Sequence, residues 1–421
     1  MGVIIGTGER FGNTCDVVLT DTDRYQHVYV IGQTGTGKTT LLRNSILQDI
    51  AMGKGVALLD PHGDLAEAIV DMVPSWRTND VIYFNPADTE YPIGLNPVAK
   101  TDAERHHLVI LNTVSVLRGL WYDVWGTGRM QYILTNTLAA LLHYDHATLL
   151  GVNRMLSDTQ FRKKVVARVK DPVIRAFWEQ EFARYPERLR MEAVSPIQNK
   201  VGQFGTCAIT RNIIGQARNA VDFRGVIDRG QVFIANLAKG VLGEDNSRLI
   251  GSFLVSQFQL AALSRADLPE AERNPFFLYI DEFQNFTSAE SLASILSEAR
   301  KYRLSLTLAH QYTAQIAEPV RAAVFGNVGT IIALRLGFED AREIAEQLHP
   351  ITPQSLTELD PYRAWARCLK GGTMLEPEFV RFLSPIEAQR GRARTVVQES
   401  RRRFATPRQT VERNIATWLA H

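Results

Sequence analysis

Short apolar runs alternate with longer stretches of helical periodicity over the first hundred residues. Val28–Ile31, residues 56–59 and Val81–Phe84 are β-rich, and residues 41–51 and 65–72 between them place apolar side chains at helical spacing. That rhythm predicts an α/β fold with a parallel sheet. Strand signal then fades over residues 101–202, where Leu108, Leu111, Val114, Val116 and Leu117 repeat at helical intervals and Trp121, Trp125 and Trp178 fall. The α/β rhythm returns with Val232–Asn236, a helix through 249–263, and the runs Phe276–Ile280, 304–308 and 331–336. Residues 362–382 read as a strand-rich closing segment. The predicted organisation is a first part of the core over 1–100, an inserted all-helical domain over 101–202, the second part of the core over 203–383 and an arginine-rich tail over 384–421.

Composition adds that 421 residues suffice for two or three domains, with 45% hydrophobic and 22% charged residues as in globular proteins. No apolar run reaches the 18 or so residues of a membrane helix. The nearest, 138–152, is interrupted by His143, Asp145 and His146. No signal peptide is visible, and three scattered cysteines (Cys15, Cys207, Cys368) suit a reducing cytosol. A net charge of +2 does not by itself mark a nucleic-acid binder. The tail alone is basic, with eight arginines against three glutamates from Ser384 onward, which suits a phosphate or subunit contact as well as a solvated arm.

Directly after Val28–Ile31 the chain reads GQTGTGKT, Gly32 to Thr39, followed by a helical stretch. Gly32, Gly37, Lys38 and Thr39 fill the fixed positions of a phosphate-binding loop. Glycines let backbone N–H groups turn toward phosphate oxygens, Lys38 supplies a point charge, and the Thr39 hydroxyl ligates Mg²⁺. The nucleotide-contacting set is Gly32, Thr34, Gly35, Thr36, Gly37, Lys38, Thr39 and Thr40, and the ligand is ATP with Mg²⁺.

The run FFLYIDE ends a buried-strand pattern in two carboxylates, at the end of the strand where ligands bind in parallel sheets. Asp281 is expected to hold Mg²⁺, and Glu282 to orient and deprotonate an attacking water. Gln311, after the run 304–308, is expected to sense the γ-phosphate because a neutral amide both donates and accepts; His310 is the second choice. Arg300 is a candidate arginine finger for a neighbouring subunit and Arg211 an alternative, while a surface ion pair explains either equally. Asp60, His62 and Asp64 in LLDPHGDL suit either the nucleotide pocket or a capped turn. Lys239 is a candidate phosphate contact, and Trp121 and Trp125 suit base stacking or core packing. His106, His107, His143 and His146 lack the cysteines or carboxylates of a zinc site.

With GQTGTGKT, LLDPHGDL, LNP (95–97), YIDEFQNF (279–286), EARKYRLSLTLAHQY (298–312) and GNVGTIIALR (326–335), the chain resembles the additional-strand P-loop ATPases of the HerA–FtsK group. Within that group it resembles the conjugative type IV coupling proteins of the TraG/TraD kind. The resemblance spans about residues 25–340. It implies a RecA-like additional-strand core, a hexameric ring with nucleotide between subunits, DNA (single or double strand) in the channel, and Arg300 as the trans finger. It also implies a cytoplasmic protein, at the inner face of the membrane through a secretion or relaxosome partner, whose helical insertion meets cargo. Coupling proteins of the usual plan begin with membrane-spanning helices and HerA-type proteins with a barrel; neither is visible in this sequence. The expected function is an ATP-hydrolysing ring motor that translocates DNA in conjugative or mobile-element transfer. An assembly ATPase acting on protein and a nucleotide-dependent docking platform are the alternatives.

Overall fold

The computed structural model describes residues 2–10, 12–99, 102–121, 128–286, 289–388 and 390–420; Trp125 lies outside them. Thirteen strands occur among the described residues: β1 Gly2–Arg10, β2 Asn13–Thr20, β3 Val28–Ile31, β4 Gly55–Asp60, β5 Val81–Phe84, β6 Val232–Asn236, β7 Phe276–Ile280, β8 Leu304–His310, β9 Thr330–Ala333, β10 Arg363–Arg367, β11 Leu369–Lys370, β12 Thr373–Met374 and β13 Glu378–Phe382. Eleven of them form one sheet in the order β2-β1-β13-β10-β9-β3-β8-β7-β4-β6-β5. From β9 to β5 every pairing is parallel, and from β9 to β2 every pairing is antiparallel.

Strands β3, β4, β6, β7, β8 and β9 are buried at every position. A parallel strand covered on both faces needs that continuous apolar composition, and each buried Val, Leu or Ile contributes about 1.5–3 kcal/mol. Strand β8 lies between β3 and β7, which is the RecA-like additional-strand arrangement. Strand bounds differ from the sequence reading by a few residues: β8 runs on to His310, and β9 starts at Thr330 and stops at Ala333.

The chain divides into two compact units. The first holds residues 1–84, 223–238 and 261–400, and the second 85–222, 239–260 and 401–421. The first unit contains the sheet and its core. The described part of the second is helical over His106–Leu120, Gly128–Leu142, Glu187–Thr206 and Arg408–Ala420, among others. Trp121 packs there in a stacked arrangement on Phe204 at 5.9 Å, and Trp178 is buried. The arginine-rich end folds as two helices, Ala393–Phe404 and Arg408–Ala420, which bury Val396, Val411 and Ile415. Its arginines find local partners: Arg392 donates to Thr78 Oγ1, Arg401 pairs with Asp88 at 2.6 Å, and Arg408 with Glu412 at 2.8 Å.

Candidate active site

Strand β3 delivers the chain into a loop fastened on both sides. Gly32 N–H donates to His310 O at 3.4 Å, and Gln33 N–H to Arg335 O at 2.9 Å. Gly35 and Gly37 sit at φ +78° and +116°, where a side chain is strained and glycine is not. The helix Lys38–Ala51 then starts with no side-chain cap and no acidic residue in its first turn. Its leading N–H groups and the positive end of its dipole are therefore directed at whatever enters the loop, which favours an anion. Buried Thr36 closes the loop internally through Oγ1–H to Gln33 O at 2.7 Å. Lys38 Nζ donates to Gly32 O at 2.5 Å and Gln33 O at 3.3 Å. Burial lowers its pKa, and the carboxylates of Glu282 and Asp281 oppose that shift.

The acidic pair stands where β7 ends. Asp281 N–H continues the ladder to Leu59 O at 3.1 Å. Both carboxylates are buried, at 7% and 5% exposure. Burial, then Glu282, then Asp60, push Asp281 up to about 7 against the pull of Lys38. Such a crowded carboxylate pair beside one ammonium is a donor set that suits a divalent cation and a polyanion together. Glu282 accepts a hydrogen bond from Gln284 Nε2–H at 2.8 Å, and the same amide nitrogen reaches Gln315 Oε1 at 3.2 Å.

The two residues after β8's apolar run part company. Gln311 lines the cavity and meets Thr34 of the loop at 3.0 Å. His310 is buried, hydrogen-bonded through Nε2 to Tyr29 OH and packed edge-on to Phe283. Burial, then the charge of Lys38, hold it down to about 3, while the backbone at Tyr312 pulls the other way. It serves the core under the site. Asp60 accepts from His62 N–H and Ala66 N–H, each at 2.9 Å, so it caps the helix Asp64–Met72 from the end of β4. His62 lines the cavity, and Asp64 is exposed on that helix.

These parts enclose a cavity of about 280 Å³ within the first unit, lined by Thr34, Gly35, Gly37, Lys38, Thr39, Thr40, His62, Asp281, Glu282, Gln311 and Tyr362. Gly32 and Thr36 support the loop from beneath; a Cβ on Gly32 would come within 2.6 Å of Leu334. Arg300 does not line it. It is exposed in the turn Ala299–Tyr302 that enters the opposite end of β8, about 20 Å away at roughly 3.3 Å per strand residue. Arg211 and Lys239 belong to the second unit; Arg211 donates to Gly205 O at 3.3 Å, and Lys239 opens the short helix Lys239–Leu242. His106 and His143 meet edge-on at 5.2 Å, and no group of three metal-ligating side chains of the His, Cys, Asp and Glu kind occurs among the described residues. Sequence reasoning missed Tyr362, Gln284 and Gln315. Tyr362 and Gln315 carry no local signal, and Gln284 becomes visible only when YIDEFQNF is read past its acidic pair.

Residues 12–237 match the family model for the central domain of helicase HerA, and residues 275–354 match that for the TraM recognition site of TraD and TraG. No curated protein sequence matches. The fold is similar to that of the bacterial conjugative coupling protein TrwB in an unbound monoclinic form (16% identity, 89% of this chain and 88% of that chain, TM-score 0.66). It is also similar to plasmid coupling protein TrwB in complex with ADP and Mg²⁺ (16% identity, 89% of each chain, TM-score 0.64). VirB4 of Thermoanaerobacter pseudethanolicus shares the fold as well (16% identity, 91% of this chain and 96% of that chain, TM-score 0.59).

Proposed function

Because the chain belongs to the HerA central-domain family, we propose that it is a P-loop ATPase whose subunits form a ring motor moving DNA in conjugative or mobile-element transfer. The observation that carries the reading is the convergence of Lys38, Thr39, Asp281, Glu282 and Gln311 on one cavity. The fold similarity to TrwB, solved with ADP and Mg²⁺ and with non-hydrolysable ATP and GTP analogues, supports ATP and Mg²⁺ as the ligands here. The TraM-recognition match over 275–354 supports a relaxosome or secretion-apparatus partner at the cytoplasmic face of a membrane. Among the described residues no helix is long and apolar enough to cross one.

The loop glycines and the uncapped helix start bind the phosphates through backbone N–H groups. Lys38 leaves its loop carbonyls for the β- and γ-phosphate oxygens. Thr39 and Asp281 hold Mg²⁺, which when bound neutralises phosphate charge. Glu282, set by Gln284, takes the proton of the attacking water, and Gln311 aligns that water. Arg300 lies at the end of β8 opposite its own cavity, so its finger role is toward the neighbouring subunit of a hexamer, and hydrolysis there shifts the contact between subunits that drives the strand.

Steady-state ATP hydrolysis with and without single- and double-stranded DNA, using Lys38→Ala as the blank, tests this. Turnover stimulated by DNA and absent in the blank is expected. Turnover indifferent to DNA at a concentration where a ring is seen would move the reading to an ATPase acting on protein.

A further inference from the structure

The cavity has two unlike flanks. On the β8–β7 side stand Asp281, Glu282 and Gln311, which deal with the terminal phosphate. On the far side of β3, past β9, lies the start of β10, and there Tyr362 joins the lining. A nucleotide whose γ-phosphate faces the acids must extend its nucleoside end toward that second flank.

Tyr362 is built into this position. Its N–H donates to Thr36 O of the loop at 2.8 Å, and its own carbonyl accepts from Phe382 N–H at 2.9 Å. Its backbone lies at φ +64°, a left-handed conformation that a bulky residue keeps only where surrounding contacts hold it. The ring lies so close against Gly37 that a Cβ there would stand 2.9 Å from Tyr362 Cδ1. The residue is nevertheless 49% exposed, so an aromatic ring is fixed at the rim of a phosphate site and left partly uncovered.

We propose that Tyr362 is the base-binding residue of this site, stacking its ring on the nucleobase and favouring purines over pyrimidines by area of overlap. Stacking offers every purine the same face, so ATP and GTP are both accepted. This inference rests on the ATPase reading, and names the part of the site that holds the nucleoside rather than the phosphates.

The test is calorimetric binding of ATP, CTP and inorganic tripolyphosphate, each with Mg²⁺, to the whole chain and to four variants. Tyr362→Ala and Tyr362→Asn remove the ring, and asparagine tolerates the left-handed backbone, which guards against a misfolded variant. Both are expected to weaken ATP about tenfold, within the range of one base–aromatic stack. They should leave tripolyphosphate unchanged and narrow the preference for ATP over CTP. Tyr362→Phe and Tyr362→Trp should bind ATP as the wild type does. If ATP and tripolyphosphate weaken together in the ring-less variants, the ring props the loop and the inference falls. It falls equally if ATP affinity does not change. Wild-type protein that binds neither ligand would overturn the ATPase reading itself.

Discussion

Glu282 sits at φ +46°, in the left-handed region, at the turn after β7, a strain of order 1–3 kcal/mol that surrounding contacts must hold. Its carboxylate is turned by Gln284 Nε2–H, and that amide's Oε1 is buried with no hydrogen-bond partner among the described residues. Gln284→Ala should therefore lower kcat about tenfold, the effect of one charge-assisted hydrogen bond, with nucleotide affinity unchanged; equal losses of affinity and turnover would make Gln284 a packing residue only. His27 lies at the other end of β3. Its Nε2–H donates to Leu296 O at 2.9 Å and its Nδ1 accepts from Leu306 N–H at 3.1 Å, a pairing that only the neutral ring can make. Burial, reinforced by Arg300 and opposed by the Leu296 carbonyl, holds it down to about 4. Below pH 6.5 the unfolded chain takes up a proton that the folded chain refuses until about 4. Stability is thus full above pH 6.5 and falls through that window by about 3 kcal/mol from this group. His310 adds a share of the same sign. Urea midpoints from pH 8 to 4.5 should show the loss, and His27→Asn should flatten it, since asparagine accepts the left-handed backbone that His27 adopts at φ +63° and can still accept from Leu306.

At the scale of elements, the far end of the helix that begins with Lys38 is tied to the strand that ends before Asp281. Arg24 pairs with Asp49 in the last turn of that helix at 2.7 and 2.9 Å, and Tyr279 of β7 donates to the same carboxylate at 2.7 Å. Lys54 adds a contact at 3.2 Å, and the Arg24 guanidinium lies 3.8 Å over Phe277. Burial would raise Asp49, and Arg24 overrides it and holds the carboxyl ionised. An anion at a helix C-terminus opposes the dipole, so its partners are what make it tolerable. Arg24→Met and Asp49→Leu should each cost about 3–5 kcal/mol in chemical denaturation, because each strands a buried charge. The double variant should cost clearly less than the sum; additive losses would show that the pair is not coupled. Neither residue drew attention in the sequence, since an arginine in a polar turn and an aspartate in a helix are ordinary there. The N-terminal hairpin β1–β2 was also unread, although Val3, Ile5, Val17 and Leu19 alternate inward on its two strands.

For the whole molecule, the informative residue is Arg300, exposed at the opposite end of β8 from its own cavity. The proposed finger role toward the next subunit would make activity a property of the ring. Arg300→Ala and Lys38→Ala should each abolish DNA-stimulated hydrolysis. An equal mixture should regain activity, because about a quarter of randomly assembled interfaces pair an intact loop with an intact arginine. A mixture as silent as its components would return Arg300 to a surface role.

What the sequence determined by itself was the part written locally. The phosphate loop, the acidic pair and the strands that present them are contiguous runs whose periodicity and residue types dictate their own conformation, and the buried parallel sheet follows from six nearly unbroken apolar strands. What only tertiary structure decided were the pairings between distant segments. Tyr362 reaches the loop through the order of β10, β9 and β3, Gln315 reaches Glu282 through Gln284, and Arg24 meets Asp49 and Tyr279 across the core. The arginine-rich end reads as a basic tail in sequence because charge is local, and it folds as helices because Val396, Val411 and Ile415 find apolar surface. Such contacts depend on which elements become neighbours, and that is settled by packing of the whole core rather than by any window of the chain.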